Sequence, residues 1–233
     1  MVGEIMTVGE INVTLQLFGS VVSLMIIFCL FIGGNAKTKT GRMYVLLLLL
    51  NMGGLLFDAL AYMFRGKTYP FAYFGVRASN FLAFCSLCVF STVFLSYLNE
   101  FVSVKRPGTC RPYLAVSWGV CVVYLVLYIV NLFVPIFYSI DANNIYMRSP
   151  LYGLTMVPAF LNMLLTVIIL IKNKDVLTKS QITVFGMYVA LPMIALPVQI
   201  FVYGLNFSSI TTTLVVVIML LFLQTEQTRL LLK

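Results

Sequence analysis

The sequence predicts an all-α, polytopic membrane protein with seven transmembrane helices, its N-terminus outside and its C-terminus in the cytoplasm. Of its 233 residues, 61% are hydrophobic and 9% are charged, and the mean hydropathy is +1.04. A soluble domain is roughly a quarter charged. Seven apolar runs are separated by short polar connections, and basic residues are concentrated in every second connection, which is typical of membrane proteins.

The apolar runs set the predicted helix boundaries. They cover residues 11–34, 43–64, 76–104, 113–134, 153–171, 181–203 and 210–224. The last run is the shortest and the weakest prediction. We assign residues 1–224 to a seven-helix transmembrane sensor domain and residues 225–233, which are polar and helix-forming, to the start of a cytoplasmic coupling helix.

The distribution of basic residues predicts the orientation. Eleven of the fifteen lie in one alternating set of segments: Lys37, Lys39, Arg42, Lys105, Arg106, Arg111, Lys172, Lys174, Lys179, Arg229 and Lys233. The other set contains Arg65, Lys67, Arg77 and Arg148. The positive-inside rule places the first set in the cytoplasm. The same distribution explains the net charge of +8 without nucleic acid as a partner, so the expected partner is the lipid bilayer.

An acid inside the second apolar run is the main candidate for a functional site. Asp58 lies six residues before the outer end of this run, about 9 Å deep at 1.5 Å per residue. Tyr62 follows one turn later, and the third run opens with Arg77 and Asn80. Because a short loop joins the two helices, we expect Asp58 to meet Arg77 and Asn80 at a matching depth.

Two interpretations of this group stay open. It is either a structural ion pair that locks two helices, or a polar pocket or ion-pair latch that responds to a ligand or proton. The connection before the third helix adds candidate mouth residues, namely Arg65, Lys67, Tyr69 and Tyr73. Aromatic residues at such positions are more commonly part of the interfacial belt.

Other polar and kinking residues are scattered over the remaining helices. Pro192 and Pro197 predict a kink, and a candidate hinge, in the sixth helix. Single amides are expected to form hydrogen bonds between helices. They are Asn51, Asn131, Asn162 and Gln199.

The composition argues against an enzyme. The chain contains no histidine, which removes the usual general base and most zinc sites. Its Cys85-Ser-Leu-Cys88 motif lies within an apolar run, where small helix-packing residues are the simpler interpretation than a redox or metal site. We therefore expect no catalytic residues, no metal and no cofactor.

The second and third runs resemble a known family. Leu56-Phe-Asp58-Ala-Leu-Ala-Tyr62, Phe74-Gly-Val-Arg77-Ala-Ser-Asn80 and Val93-Phe-Leu-Ser-Tyr97 are similar to the N-terminal multi-pass membrane region of bacterial sensor histidine kinases, notably those of anaerobic Gram-positive gut bacteria. The resemblance implies a sensor in the bacterial cytoplasmic membrane and a two-component system. It also implies that residues 224–233 lead toward phosphoacceptor and ATP-binding domains that are not in this chain.

The resulting expectation is a sensory input module for an unidentified small molecule or membrane-borne cue, without kinase activity of its own. If residues 225–233 form a coupling helix, Leu223, Gln227 and Leu230 have coiled-coil spacing, and the module would form a homodimer. The alternatives are a small transporter or solute-binding protein that uses the Asp58 and Arg77 pocket, and a structural subunit that docks a partner.

Overall fold

A computed structural model of the chain describes residues 7–201 and 207–231, with side chains over 7–195 and 210–222. Within this part the chain forms seven α-helices, which confirms the all-α prediction, and one short antiparallel β-hairpin. The helices are α1 (Val8–Ile32), α2 (Lys39–Phe64), α3 (Pro70–Ser103), α4 (Arg111–Asn131), α5 (Val157–Lys172), α6 (Lys179–Phe201) and α7 (Phe207–Leu231). The strands are β1 (Tyr138–Ile140) and β2 (Tyr146–Arg148).

Several of these helices have the length and composition of membrane spans. Among the described residues, α1 to α4 and the segment Tyr152–Lys172 are each long and apolar enough to cross a bilayer. The last of these combines a 3₁₀ turn, Tyr152–Met156, with α5. These helices are those of a membrane protein. The number of crossings and their orientation stay predictions.

Local sequence signals fix where two helices begin. At α1, the Thr7 hydroxyl accepts a hydrogen bond from the Glu10 backbone, and the Glu10 carboxylate accepts one from the Thr7 backbone at 2.7 Å. This is a capping box. Helix α3 begins at Pro70, six residues before its predicted start, because proline is preorganised for the first helical position. The loop predicted over residues 65–75 is therefore shorter than expected.

Helix α3 lies at the centre of the bundle. It packs against α2, α4 and α5, while α1 packs against α2 and α7, and α6 lies between α5 and α7. The predicted adjacency of α2 and α3 is confirmed. The main apolar core fills the space between these helices around the aromatic side chains Tyr44, Phe94, Tyr97 and Phe185.

The two ends of the bundle differ in character. One end, which we call the basic end, brings three basic connections together. There Lys39 pairs with Glu100 at 2.8 Å, Arg106 pairs with Asp175, and the Lys105 ammonium donates to the Val176 carbonyl at 2.9 Å. The other end carries the β-hairpin, and we call it the hairpin end.

The hairpin replaces what the sequence indicated as an irregular connection. Tyr138 is opposite Arg148 and Ile140 is opposite Tyr146. Asn131, at the end of α4, supports the first strand, since its side-chain oxygen accepts from the Phe137 backbone at 2.7 Å. The predicted interhelical role of Asn131 is therefore wrong: its amide bonds to the following backbone instead.

Candidate functional site at the hairpin end

Asp58 contacts helix α1. The side-chain amide of Gln16 donates a hydrogen bond from its Nε2 to the Asp58 carboxylate. Gln16 is 2% exposed, and Asp58 is half-buried. A carboxylate that loses its hydrating water needs such donors, because burying an ion without new hydrogen bonds costs on the order of several kcal/mol. The contact joins α1 to α2 near their ends.

Arg77 occupies a different position from the one expected. Its guanidinium donates to the Tyr73 carbonyl and the Asn144 side chain, each at 3.1 Å, and to the Ile140 carbonyl at 3.1 Å. It therefore ties α3 to the hairpin and does not pair with Asp58. The predicted pairing is wrong because Asp58 lies on the face of α2 that meets α1, whereas Arg77 lies beside the hairpin.

Asn80 also bonds elsewhere. Its amide donates to the Val76 carbonyl of its own helix at 2.7 Å. The predicted contact from Asp58 to Asn80 is replaced by this local bond. Of the four predicted site residues, Asp58 and Tyr62 lie near each other, Arg77 supports the hairpin, and Asn80 bonds within its own helix.

The second strand and the turn after it also lie near Asp58. The hydroxyl of Tyr62 lies within electrostatic range of Asp58, Arg65 and Arg148. Burial raises the pKa of Tyr146 well above its ordinary value, with a further contribution from Tyr152, while Arg148 opposes the shift and Asp58 adds to it. Strand β2 thus brings a cation and a neutral hydroxyl into the surroundings of the acid.

An aromatic ring holds the Arg148 cation. The Arg148 guanidinium carbon lies 4.4 Å from the centre of the Tyr152 ring. Such stacking stabilises a cation by about 0.5–2 kcal/mol, depending on how far it is desolvated. A tyrosine near the site therefore already accommodates a planar cation over its ring. We call Tyr62 and Tyr152, the two tyrosines near Arg148, the rim tyrosines.

The candidate mouth residues lie in and around the connection between α2 and α3. Arg65, Lys67, Tyr69 and Tyr73 are all exposed. Tyr73 has a defined role, since its ring lies 3.7 Å from the Arg77 guanidinium. The backbone carbonyl of Lys67 accepts from the Asn144 side chain at 2.8 Å. This connection therefore clamps the hairpin.

Asn144 is the central residue of that clamp. It is buried, adopts a left-handed backbone with φ of 60°, and bonds to both Lys67 and Arg77. Asparagine tolerates this conformation better than most residues. The Asp141 carboxylate supports the turn by accepting from the backbone of Asn143 at 2.9 Å and of Ile145 at 2.8 Å. The hairpin is thus tied to the connection between α2 and α3.

Helix α1 carries a row of buried polar residues leading inward from Asp58. We call Asn12, Gln16, Ser20 and Ser23 the α1 polar row; all four are buried. Their spacing of 4, 4 and 3 residues places them on one helix face. The exposed face of α1 is apolar, with Phe18, Met25 and Phe28 among the most exposed side chains. Polar inside and apolar outside is the pattern of a membrane helix that lines a polar interior.

The row ends at a contact between three helices. The Asn51 amide of α2 donates to Ser23 Oγ at 2.9 Å and to Thr213 Oγ1 of α7 at 3.4 Å. The predicted interhelical role of Asn51 is confirmed. Beyond it, α1 buries Ile26, Ile27 and Leu30. The polar row is therefore closed by apolar packing on the side of the basic end.

A close approach of α1 to α7 occurs within the row. A Cβ atom added at Gly19 would lie 2.9 Å from Thr213 Oγ1 and 3.0 Å from a methyl carbon of Leu55. A larger residue at this position would require the side chains of Thr213 and Leu55 to shift. Helix α1 is thus in direct contact with α7 between Gln16 and Ser23.

A second polar cluster lies between α3, α4 and α5. The Asn162 amide donates to Ser91 Oγ at 2.9 Å and to Thr92 Oγ1 at 3.3 Å, and its oxygen accepts from Ser117 Oγ at 2.6 Å. The predicted interhelical role of Asn162 is confirmed. The cluster is neutral and its amide is fully bonded, which is what a structural network requires.

The hinge candidates lie on α6. Pro192 lies within the continuous helix Lys179–Phe201 and lines a cavity of about 40 Å³ with Phe90, Met163 and Tyr188. The cavity is mostly apolar. The side chains of Pro197 and Gln199, like those of the residues 223–230 expected to carry coiled-coil spacing, lie outside the described residues.

The groups around Asp58 can bind and position a polar ligand. No three histidine, cysteine, aspartate or glutamate side chains gather within the described chain as metal ligands would. The site instead combines a carboxylate, an amide, neutral hydroxyls and an aromatic-held cation. These groups recognise polar ligands.

Two important residues were not predicted. Gln16 and Asn144 had no place in the predicted site, yet Gln16 contacts Asp58 and Asn144 fixes the hairpin. The signal for Gln16 was present in the 4, 4 and 3 spacing of polar residues in the first apolar run. No pattern in the sequence distinguishes Asn144 from its neighbour Asn143.

Comparison of the chain with protein-family models, with curated proteins and with solved structures found no match.

Proposed function

We propose that the chain is a membrane-embedded input module for signal transduction, in which a cue at the hairpin end alters how α1 and α2 pack on α7. The proposal places the hairpin end outside and the basic end in the cytoplasm of a bacterium, in agreement with the positive-inside rule. A sensory input role is also what the resemblance of the sequence to sensor histidine kinase membrane regions implies.

One observation carries the proposal. The Gln16–Asp58 contact joins α1 to α2, and both of these helices pack on α7, which continues as a single helix to Leu231. A change at Asp58 therefore has a short physical route to α7. Packed helices move as rigid elements between discrete arrangements, so a local change at one end is transmitted along them.

The polar row supports a binding site on the side of the hairpin end. It leads inward from the hairpin end and stops at Ser23, Asn51 and Thr213, where apolar side chains close the bundle. A site closed on one side suits the detection of a cue. A pathway for conduction would need polar groups over its whole length.

Hydrogen–deuterium exchange of the full chain in lipid nanodiscs tests the proposal. Asp58→Asn keeps the shape of the side chain and removes its charge. We expect amide exchange in peptides of residues 215–231 to change by at least about threefold, because the packing of α1 and α2 on α7 is altered.

The matched control is Asp175→Asn, which removes one carboxylate charge at the basic end, where Asp175 pairs with Arg106. It should leave exchange of α7 as in the wild type. If Asp58→Asn leaves α7 unchanged in a protein that still inserts and folds, the coupling from Asp58 to α7 does not exist.

A small transporter is the second candidate, because four buried polar residues, Asn12, Gln16, Ser20 and Ser23, follow one face of α1 through the bundle interior. In that case the apolar closure below Ser23 would open during transport. Uptake of a substrate into proteoliposomes, abolished by Asp58→Asn and kept by Asp175→Asn, would favour transport over signalling.

A further inference from the structure

Only one of the two polar atoms of the Gln16 side chain has a hydrogen-bond partner. Its Nε2 donates to Asp58, while its Oε1 is fully buried and has no hydrogen-bond partner. An unpaired buried acceptor costs about 1–3 kcal/mol, so native proteins rarely retain one without a purpose. Because both atoms belong to one amide, this oxygen lies beside the Asp58 carboxylate.

Two acceptors side by side favour a particular class of partner. The Asp58 carboxylate accepts only, and the orphaned Gln16 oxygen accepts only. A group that carries several N–H donors and a positive charge satisfies both at once. A carboxylate or a phosphate would instead be repelled by Asp58 and would leave the Gln16 oxygen unpaired.

The rim tyrosines also favour a cation. Arg148 already lies over the Tyr152 ring, and the Tyr62 hydroxyl lies within range of both Arg148 and Asp58. This rim therefore binds cations by stacking, and Arg148 is a resident cation that a free cation would have to displace or share space with.

We propose that the Gln16–Asp58 site binds a small organic cation with an ammonium or guanidinium group, and that Arg148 competes with it from strand β2. This inference rests on the proposed function, since it names the class of cue for the same site. The cation would donate to Asp58 and to Gln16 Oε1 while its body lies against the rim tyrosines.

Three probes with one ring and different charges test the inference. Tyramine is a cation, tyrosine is a zwitterion, and 3-(4-hydroxyphenyl)propionate is an anion. Isothermal titration into the full chain in nanodiscs, with empty nanodiscs subtracted, should show saturable binding of tyramine and none of the propionate. Equal binding of both, or no saturable tyramine binding up to about 10 mM, overturns the inference.

Two substitutions should move tyramine affinity in opposite directions. Asp58→Asn should weaken it by at least about tenfold, and Arg148→Gln should strengthen it by about threefold or more, since a competing charge is removed. Weaker tyramine binding in Arg148→Gln would contradict the competition. Arg42→Gln, at the basic end, is the matched control and should leave affinity unchanged.

A variant of Gln16 separates its role from that of the acid. Gln16→Met has nearly the same length and no acceptor oxygen, and it should weaken tyramine binding while α7 remains folded. Unchanged affinity in Gln16→Met overturns the part of the inference that uses the orphaned oxygen. Thermal unfolding of each variant identifies any that fail to fold. If Asp58→Asn or Gln16→Met fails to fold, the tyramine affinity of Arg148→Gln tests the inference in its place.

The outcome is distinguishable from failure of the proposed function. If tyramine does not bind but Asp58→Asn changes exchange in α7, the cation inference fails and the input module stands. If tyramine binds and α7 exchange is unaffected by both tyramine and Asp58→Asn, the site exists and the signalling proposal fails.

Discussion

The bundle contains two buried polar clusters built on different plans. The Asn162 cluster between α3, α4 and α5 is neutral, and its amide is bonded on both sides. The Gln16–Asp58 contact between α1 and α2 contains an ionisable group and leaves one amide oxygen without a partner. The amide of the first cluster has all its hydrogen-bond partners within the protein, whereas the amide oxygen of the second would need a donor from a bound ligand.

This difference separates a structural role from a binding role. A closed network of neutral groups rigidifies a helix contact and offers nothing to a ligand. An open one is costly to keep in the folded protein, and such groups within membrane helices are commonly functional. Substitution in the Asn162 cluster should therefore mainly lower stability, and substitution at the Gln16–Asp58 contact should mainly weaken ligand binding.

Loss of the closed cluster should give the largest change in stability. Asn162→Ala removes three interhelical hydrogen bonds and leaves a void, so we expect the free energy of unfolding to fall by about 3 kcal/mol. Equilibrium unfolding in nanodiscs would measure it. Tyramine affinity of the folded fraction should be unchanged, and a parallel loss of affinity would mean that the two clusters are not independent.

Widening the contact between the polar row and α7 should have the next largest effect. Gly19→Val places a branched side chain against Thr213 and Leu55, so we expect a loss of about 2 kcal/mol and a change in α7 exchange. Gly119→Val is the control, because nothing lies within 4 Å of a Cβ atom at Gly119. Equal effects of the two valines would deny any special role to the α1–α7 approach.

Loosening the hairpin should have the smallest effect on global stability. Asn144→Ala removes the hydrogen bonds to Lys67 and Arg77. It also places alanine, which has no polar side chain to bond locally, in the left-handed backbone region, and we expect the free energy of unfolding to fall by about 1 kcal/mol. Exchange should rise in residues 138–148 and stay unchanged in α5. Uniformly faster exchange would show that Asn144 supports the whole bundle.

Much of the fold followed from the sequence because hydropathy and charge act over whole segments. The apolar runs located all seven helices, and the basic connections gather at one end as predicted. Asn51 and Asn162 bond between helices, since an amide in an apolar interior must find a partner. The hairpin was missed, because three-residue strands leave too short an alternation to detect.

The site was only partly predictable, for a geometric reason. Sequence places Asp58 six residues before the end of α2 and on a helix adjacent to α3. Each residue turns the helix by about 100°, so position along the helix alone does not choose the neighbour. Asp58 turns toward α1, and Arg77 turns toward the hairpin. The polar spacing in α1 was the available clue to the correct partner.

A double-mutant cycle on the unfolding free energy in nanodiscs tests the central claim most directly. The claim predicts that Asp58→Ala and Gln16→Ala are non-additive, with a coupling energy of about 1 kcal/mol or more, while Asp58→Ala and Arg77→Ala add within about 0.5 kcal/mol. Additivity between Asp58 and Gln16, together with strong coupling between Asp58 and Arg77, would contradict the account and restore the pairing that the sequence first indicated.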